Sequence, residues 1–148
     1  MTDKRDTHQS RMLEAVEQYF IRADAGRPDA LDLFTDDVQL YFPKFGVAKG
    51  KQAFGELASG LLGSLSEFGH DLSSFRYVVT DDAVVVEGTT RGADRAGHRW
   101  SGGETAGGRF CSVFRFRDGL IARMHIYLDP DYTGRDRERF LWGTDRQW

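Results

Sequence analysis

Apolar residues recur every three or four positions over residues 10–25. This spacing places side chains on one face of an α-helix, so the pattern predicts an amphipathic helix. Gly26 follows directly, and glycine commonly ends a helix because it adopts the left-handed conformation at little cost. The predicted buried stripe consists of Leu13, Val16, Phe20 and Ala23.

Three shorter elements complete the first half of the chain. Proline is tolerated in the first turn of a helix, so Pro28 predicts a short helix over residues 29–34. An acidic turn then leads into residues 38–42, where apolar and polar positions alternate as in a half-buried strand. Residues 50–65 return to helical spacing and predict a second long helix, although three glycines weaken it.

The second half of the chain has the period of two that is typical of strands, with many Val and Thr residues. Residues 92–108 interrupt this pattern with a glycine-rich stretch, which predicts a long mobile loop around Trp100. Four strands are predicted, paired as two hairpins: residues 72–80 with 83–90, and residues 109–117 with 120–129.

Length and charge restrict the class of protein. A chain of 148 residues has the size of one domain with one core. The 20 basic and 23 acidic residues give a net charge of −3, and the basic residues are scattered, so no nucleic-acid partner is expected. No apolar run has the length of a signal peptide or a membrane span, so we expect a cytoplasmic protein without a membrane partner.

Cys111 is the single cysteine of the chain. It excludes an internal disulfide and a zinc site built from several cysteines, and its apolar strand context predicts a buried structural thiol. The four histidines show no metal-ligand spacing with a carboxylate on one helix. We therefore expect no metal.

The order of elements and several short motifs resemble the nuclear-transport-factor-2-like superfamily, most closely its SnoaL-like branch. The resemblance covers roughly residues 8–130 of one domain over residues 1–148, with a C-terminal extension over residues 131–148. It implies an α+β fold of the cystatin-like kind, in which a cone-shaped, curved antiparallel sheet is closed by N-terminal helices around an apolar pocket. The motifs are Tyr19-Phe20, Leu33-Phe34-Thr35-Asp36-Asp37-Val38, Phe42-Pro43 and Phe114-Arg115-Phe116-Arg117-Asp118-Gly119-Leu120-Ile121.

Members of this superfamily with known chemistry are acid–base catalysts that need no cofactor, so the resemblance implies a lyase, dehydratase, isomerase or cyclase without a cofactor. Its dehydratase and dehydrochlorinase members use an aspartate and a histidine at the positions of Asp24 and His70. Tyr19 matches the helix tyrosine of the ketosteroid isomerases. Phe42 and Ser112 stand where those isomerases have two acidic residues, which argues against that particular chemistry.

Helical spacing independently marks Asp24. It lies four residues after Phe20 on the predicted apolar face, in the last turn, where the helix dipole disfavours a carboxylate by roughly 0.3–1 kcal/mol. A charge placed there needs a partner, and His70 can exchange protons near neutral pH. The alternative is structural, with Asp24 capping the turn or binding a loop amide and His70 bonded to backbone.

Alternating positions on the predicted strands, together with the first helix, point to an aromatic and aliphatic chamber that suits a small hydrophobic molecule. The alternative is that these side chains simply fill the core, which composition does not decide. The predicted lining consists of Phe20, Leu40, Phe42, Phe110, Ser112, Phe114, Met124, Ile126 and Leu128.

The opposite face of the sheet carries Cys111, Val113, His125 and Tyr127, which predicts a homodimer contact there. A domain of this fold that only binds a small molecule, or only pairs with a second copy, is the alternative to an enzyme. The C-terminal segment either clamps the core or joins a subunit contact through its large apolar residues, which are Phe140, Leu141, Trp142 and Trp148.

Overall fold

The computed structural model describes residues 4–140 and 147–148. This part of the chain holds two α-helices, seven strands and two short 3₁₀ helices, Pro28–Leu33 and Arg137–Phe140. The helices are α1 (Lys4–Asp24) and α2 (Gln52–Ser64). The strands are β1 (Phe34–Phe42), β2 (Gly46–Lys49), β3 (Leu65–Val79), β4 (Ala83–Asp94), β5 (Arg99–Ser101), β6 (Arg109–Arg117) and β7 (Leu120–Leu128).

The strands form one curved, unclosed sheet in the order β2-β1-β7-β6-β4-β3, with β5 paired to β4. The predicted α+β class and the two predicted hairpins, β3 with β4 and β6 with β7, are confirmed. One pair of neighbouring strands is parallel, whereas an antiparallel sheet was expected. β1 runs parallel to β7, with Leu40 opposite Met124. This parallel contact joins the first half of the chain to the last strand.

The predicted mobile loop over residues 92–108 is wrong in its first half. β4 continues to Asp94, β5 follows, and Trp100 is buried with its indole N–H donating to the Thr90 hydroxyl at 3.1 Å. Gly92 makes this approach possible, since a Cβ at that position would lie 2.5 Å from the Trp100 ring. Close ring-to-backbone packing therefore orders a segment whose composition is typical of a loop.

The main core lies between α1 and the inner face of the sheet. The α1 residues Met12, Val16 and Phe20 are buried there, so two members of the predicted stripe are confirmed and Leu13 is half-buried. A second, smaller apolar cluster lies near α2 and is formed by Phe42, Leu65, Trp100 and Tyr132. The candidate site lies where α1 ends beside β3.

Candidate active site

Asp24 is the last residue of α1, and the chain turns sharply after it. Gly26 adopts a positive φ of 66°, and the Arg27 N–H donates to the Arg22 carbonyl at 2.9 Å, which closes the helix end. The Asp24 carboxylate thus lies at the negative end of the helix dipole, as predicted from its place in the last turn. A carboxylate in this place needs hydrogen-bond donors from another element.

β3 supplies these donors through His70. His70 lies inside this long strand, opposite Thr90 of β4, rather than in a connection before a strand beginning at residue 72. The prediction placed the strand start too late because Gly69 and polar residues break the apolar alternation at its beginning. A strand residue has a fixed direction, so β3 holds the imidazole firmly against the end of α1.

The Asp24 carboxylate receives two hydrogen bonds from His70. The main-chain N–H donates to Oδ2 at 2.9 Å, and the ring Nδ1 lies 2.6 Å from Oδ1. The Asp24 side chain is 24% exposed and the His70 side chain 15%, so both are partly withdrawn from water. At this distance a proton must lie between Nδ1 and Oδ1. The Nδ1–H form of the neutral ring leaves the Nε2 lone pair available to accept a hydrogen bond or a proton. Within the described ranges Nε2 has no hydrogen-bond partner.

Four phenylalanine rings surround the His70 imidazole. The ring centroids of Phe20, Phe68 and Phe110 lie 4.8, 5.1 and 5.2 Å from that of His70, and Phe75 lies at 6.2 Å. Gly88 on β4 allows the Phe75 ring to lie close to the β4 backbone, since a Cβ on Gly88 would lie 2.5 Å from that ring. The cage excludes water from most of the ring and strengthens the bond to Asp24 by lowering the local dielectric.

Tyr19 is half-buried on α1 and packs on the rings of Phe20, Phe34 and Phe114. Burial, and secondly the Asp24 carboxylate, raise the pKa of its phenol well above the usual range. The phenol therefore stays neutral and can donate a hydrogen bond. No hydrogen bond joins Tyr19 to Asp24 or His70, so it lies beside the pair rather than within it.

A cleft of about 620 Å³ opens between α2, the β1–β2 turn and the segment after β7. Leu57 and Leu61 contribute from α2, Phe42 from β1, and Tyr132 from the segment after β7. Its charged rim carries both signs: Lys44, Glu56, Asp94, Asp131 and Arg135. Asp24 and His70 do not line this cleft, and Phe68, in ring contact with both His70 and Tyr132, links the two places.

The predicted pocket lining divides into three groups. Phe42 borders the cleft near α2, and Phe110 borders a second cleft on the outer sheet face. Ile126 and Leu128 are half-buried and touch both apolar clusters. The remaining residues lie inside the protein at no more than 2% exposure: Phe20, Leu40, Ser112, Phe114 and Met124. These five occupy the packed interior, which corresponds to the core-filling alternative.

The outer sheet face carries the second cleft, of about 830 Å³, which Cys111 and Tyr127 border together with Glu87. Cys111 is half-buried rather than buried, and burial, followed by the negative charge of Glu87, raises the pKa of its thiol. Among the described residues no three His, Cys, Asp or Glu side chains are grouped as metal ligands would be.

His125 lies on the outer face opposite Val113, as predicted, yet it is only 7% exposed. The Gln39 amide oxygen lies 2.8 Å from its Nε2, and the Arg123 guanidinium nitrogens lie 3.0 and 3.1 Å from the two ring nitrogens. The ring of Tyr41 packs beside it at 5.5 Å. Neighbouring side chains on β1 and β7 therefore cover a histidine that strand alternation alone places in solvent.

Burial, and secondly the positive Arg123, lower the pKa of His125 below its ordinary value of 6.5. As pH falls through about 6.5, the unfolded chain binds a proton that the folded chain refuses, so folding stability is lost toward acid. We expect His125→Gln to reduce this acid loss, measured by denaturant unfolding between about pH 7 and 5. The exposed His8→Gln is the control, and an unchanged pH dependence in His125→Gln would contradict the prediction.

Three aromatic residues near the site were not predicted. Phe68 lies two positions before His70 and shares its face by strand periodicity, so a longer predicted β3 would have identified it. Phe75 lies within a register shift of β3, between Asp71 and Arg76, which breaks that periodicity. Tyr132 lies after the last strand, where sequence pattern carries no positional signal.

Two α-helices against a curved, open sheet define the nuclear-transport-factor-2-like class of α+β proteins. The family model of the SnoaL-like domain matches residues 16–124, which is more than half of the chain. The chain therefore belongs to the SnoaL-like domain family. No curated protein matches it by sequence.

Solved structures share this fold at low sequence identity. A nuclear-transport-factor-2-like protein from Burkholderia pseudomallei has a TM-score of 0.70 and 16% identity over 80% of this chain and 91% of its own. TerC, crystallised with polyporic acid, has a TM-score of 0.70 and 20% identity over 80% of this chain and 92% of its own. A candidate polyketide cyclase from Xanthomonas campestris has a TM-score of 0.70 and 19% identity over 82% of this chain and 93% of its own. At this identity the likeness establishes the fold alone.

Proposed function

We propose that the chain is a cofactor-independent acid–base enzyme of the lyase or isomerase type in which His70 Nε2 removes a proton from carbon. The supporting observation is the double hydrogen bond from His70 to the Asp24 carboxylate, at 2.9 and 2.6 Å. A carboxylate behind an imidazole holds the ring in one tautomer and stabilises the imidazolium that forms when Nε2 accepts a proton.

The proposed substrate is a small hydrophobic molecule that enters through the cleft beside α2. Leu57, Leu61 and Phe42 offer it apolar walls, and Phe68 is the side chain it must displace to reach His70. Neutral Tyr19 is the proposed hydrogen-bond donor during proton transfer. TerC, a protein of the same fold that was crystallised with polyporic acid, supports a small-molecule ligand for this chain.

The proposal is tested with 5-nitrobenzisoxazole, a small aromatic carbon acid. Removal of its ring C–H proton breaks the N–O bond and releases a coloured phenolate, so a base in an apolar site is measured directly without a cofactor. We expect the wild-type protein to accelerate this reaction above the background rate in buffer.

A second candidate is a noncatalytic domain that binds a small molecule. One observation favours it: neither of the two clefts is lined by Asp24 or His70. In that case the pair only ties the end of α1 to β3, and 5-nitrobenzisoxazole binds without being converted. Binding without turnover would thus replace the first candidate with the second.

We also propose that two copies pair through the outer sheet face. Val78 and Tyr127 are exposed on it at 62% and 48%, among mixed charges from arginine and glutamate. Covering such apolar side chains favours association. Sedimentation at micromolar concentration should show a dimer, and Val78→Asp should shift it to monomer. A wild-type monomer that persists as the concentration rises would contradict this pairing.

A further inference from the structure

The segment after β7 folds back over the sheet as a strap, which we define as residues 130–136. The Asp131 carboxylate accepts the main-chain N–H groups of Arg135 and Asp136 at 3.2 and 2.8 Å. Gly107 lies directly beneath the strap, since a Cβ there would lie 2.0 Å from the Tyr132 carbonyl oxygen. The Asp131 hydrogen bonds shape the strap itself, and its packing on Gly107 holds it against the protein, outside the residues that the family model matches.

The strap places Tyr132 against the cleft with its side chain buried. The residue is 6% exposed, its ring stacks on Trp100 at 4.8 Å, and it contacts Phe68 at 5.8 Å. Its neighbours in the second apolar cluster include Phe42 and Leu65. The ring alone satisfies this packing, so phenylalanine would fill the same space.

The Tyr132 hydroxyl oxygen is buried and has no hydrogen-bond partner in the described part of the chain. Burying a hydroxyl without a partner costs free energy, whereas phenylalanine avoids this cost. Among the described residues the hydroxyl therefore makes no stabilising hydrogen bond. Burial also raises the pKa of the Tyr132 phenol well above its usual range, so the group keeps its proton and is a donor.

We propose that the Tyr132 hydroxyl is the polar recognition point of the cleft: it is uncovered when the bound molecule displaces the neighbouring Phe68 ring, and it then donates a hydrogen bond to a carbonyl oxygen of that molecule. The inference rests on the proposed function, because it assigns the substrate class of that same site: a neutral cyclic ketone. The rim offers Lys44 and Arg135 against Glu56, Asp94 and Asp131, so the cleft has no excess of positive charge to hold an anion. Leu57 and Leu61 provide apolar contact for the carbon skeleton.

The test uses 1-tetralone and tetralin, two probes that share a carbon skeleton and differ in one carbonyl. Dissociation constants are measured by NMR titration of wild-type protein, Tyr132→Phe and the control Tyr77→Phe. Tyr77 lies on β3 against the main core and does not line the cleft. A neutral hydrogen bond corresponds to about two- to tenfold in affinity, so wild-type and Tyr77→Phe should prefer the ketone by this factor. Tyr132→Phe should lose this preference and bind the ketone no more tightly than tetralin.

Thermal unfolding supplies the second readout. Removing an unpaired hydroxyl should leave the Tm of Tyr132→Phe unchanged or higher, although ketone binding weakens. A lower Tm would mean that the hydroxyl is bonded within the folded chain, and it would overturn the proposal. A ketone preference that survives in Tyr132→Phe, or wild-type protein that binds neither probe, would overturn it as well.

The outcome is separable from the catalytic proposal. His70→Ala should keep its ketone preference within about twofold, because the imidazole does not line the cleft. Loss of turnover in His70→Ala with an unchanged ketone preference supports both proposals. If the ketone test fails while turnover still depends on His70, only the proposed role of Tyr132 is removed. The catalytic proposal then stands.

Discussion

His70→Ala is expected to lower turnover of 5-nitrobenzisoxazole by about 100- to 10,000-fold, the usual contribution of a positioned general base. Asp24→Asn should cost a large part of the same factor, since an amide neither stabilises the imidazolium nor fixes its tautomer in the same way. The rates are measured from phenolate absorbance.

His98→Ala is a matched control for this experiment. His98 forms a similar pair, with its Nδ1 2.9 Å from the Asp94 carboxylate, but its side chain is 55% exposed and lies in the β4–β5 turn. Turnover should stay near the wild-type rate in this variant. Equal losses in His70→Ala and His98→Ala, or none in either, would contradict a catalytic role for the caged pair.

Phe114→Ala is expected to lower the free energy of unfolding by about 3–5 kcal/mol, the range for truncating a fully buried phenylalanine. Phe114 has no exposed surface and packs against Phe20 and Tyr19 at 5.8 Å. The loss combines the transfer free energy of the ring with the cavity left behind. Denaturant unfolding monitored by circular dichroism measures it.

The half-buried Phe116 on the same strand is the comparison, and Phe116→Ala should cost clearly less. This experiment also decides what the interior aromatic residues do. A ring that lines an open chamber can be truncated with little loss of stability, because no filled volume is vacated. A loss below about 1 kcal/mol in Phe114→Ala would therefore favour the chamber over the packed core.

Periodicity in the sequence was enough to predict the parts of the fold where burial repeats regularly. The α1 stripe through Val16 and Phe20, and the hairpins built on alternating residues, appear as predicted. The same rule placed Asp24 on the buried side of α1. Its partner His70 came from the family resemblance, because no local rule joins residues 46 positions apart.

Features that depend on contacts between distant segments were not predicted. Trp100 is buried because Gly92 leaves room for its ring, and composition alone reads that region as a loop. His125 is buried because Gln39 and Arg123 lie beside it across the β1–β7 pairing. The orientation of Tyr132 depends on the strap. Each of these outcomes follows from three-dimensional packing, which residue spacing does not specify.

The tautomer of His70 tests the central proposal most directly, since Nε2 can act as a base only if the proton resides on Nδ1. Long-range ¹H–¹⁵N correlation spectra of the ring at neutral pH measure this in wild-type protein and Asp24→Asn. We predict the Nδ1–H form in wild-type protein, bonded to Asp24 across the 2.6 Å contact, and a changed tautomer balance in the variant. A proton on Nε2 in wild-type protein, or identical spectra for the two proteins, would contradict the Asp24–His70 dyad.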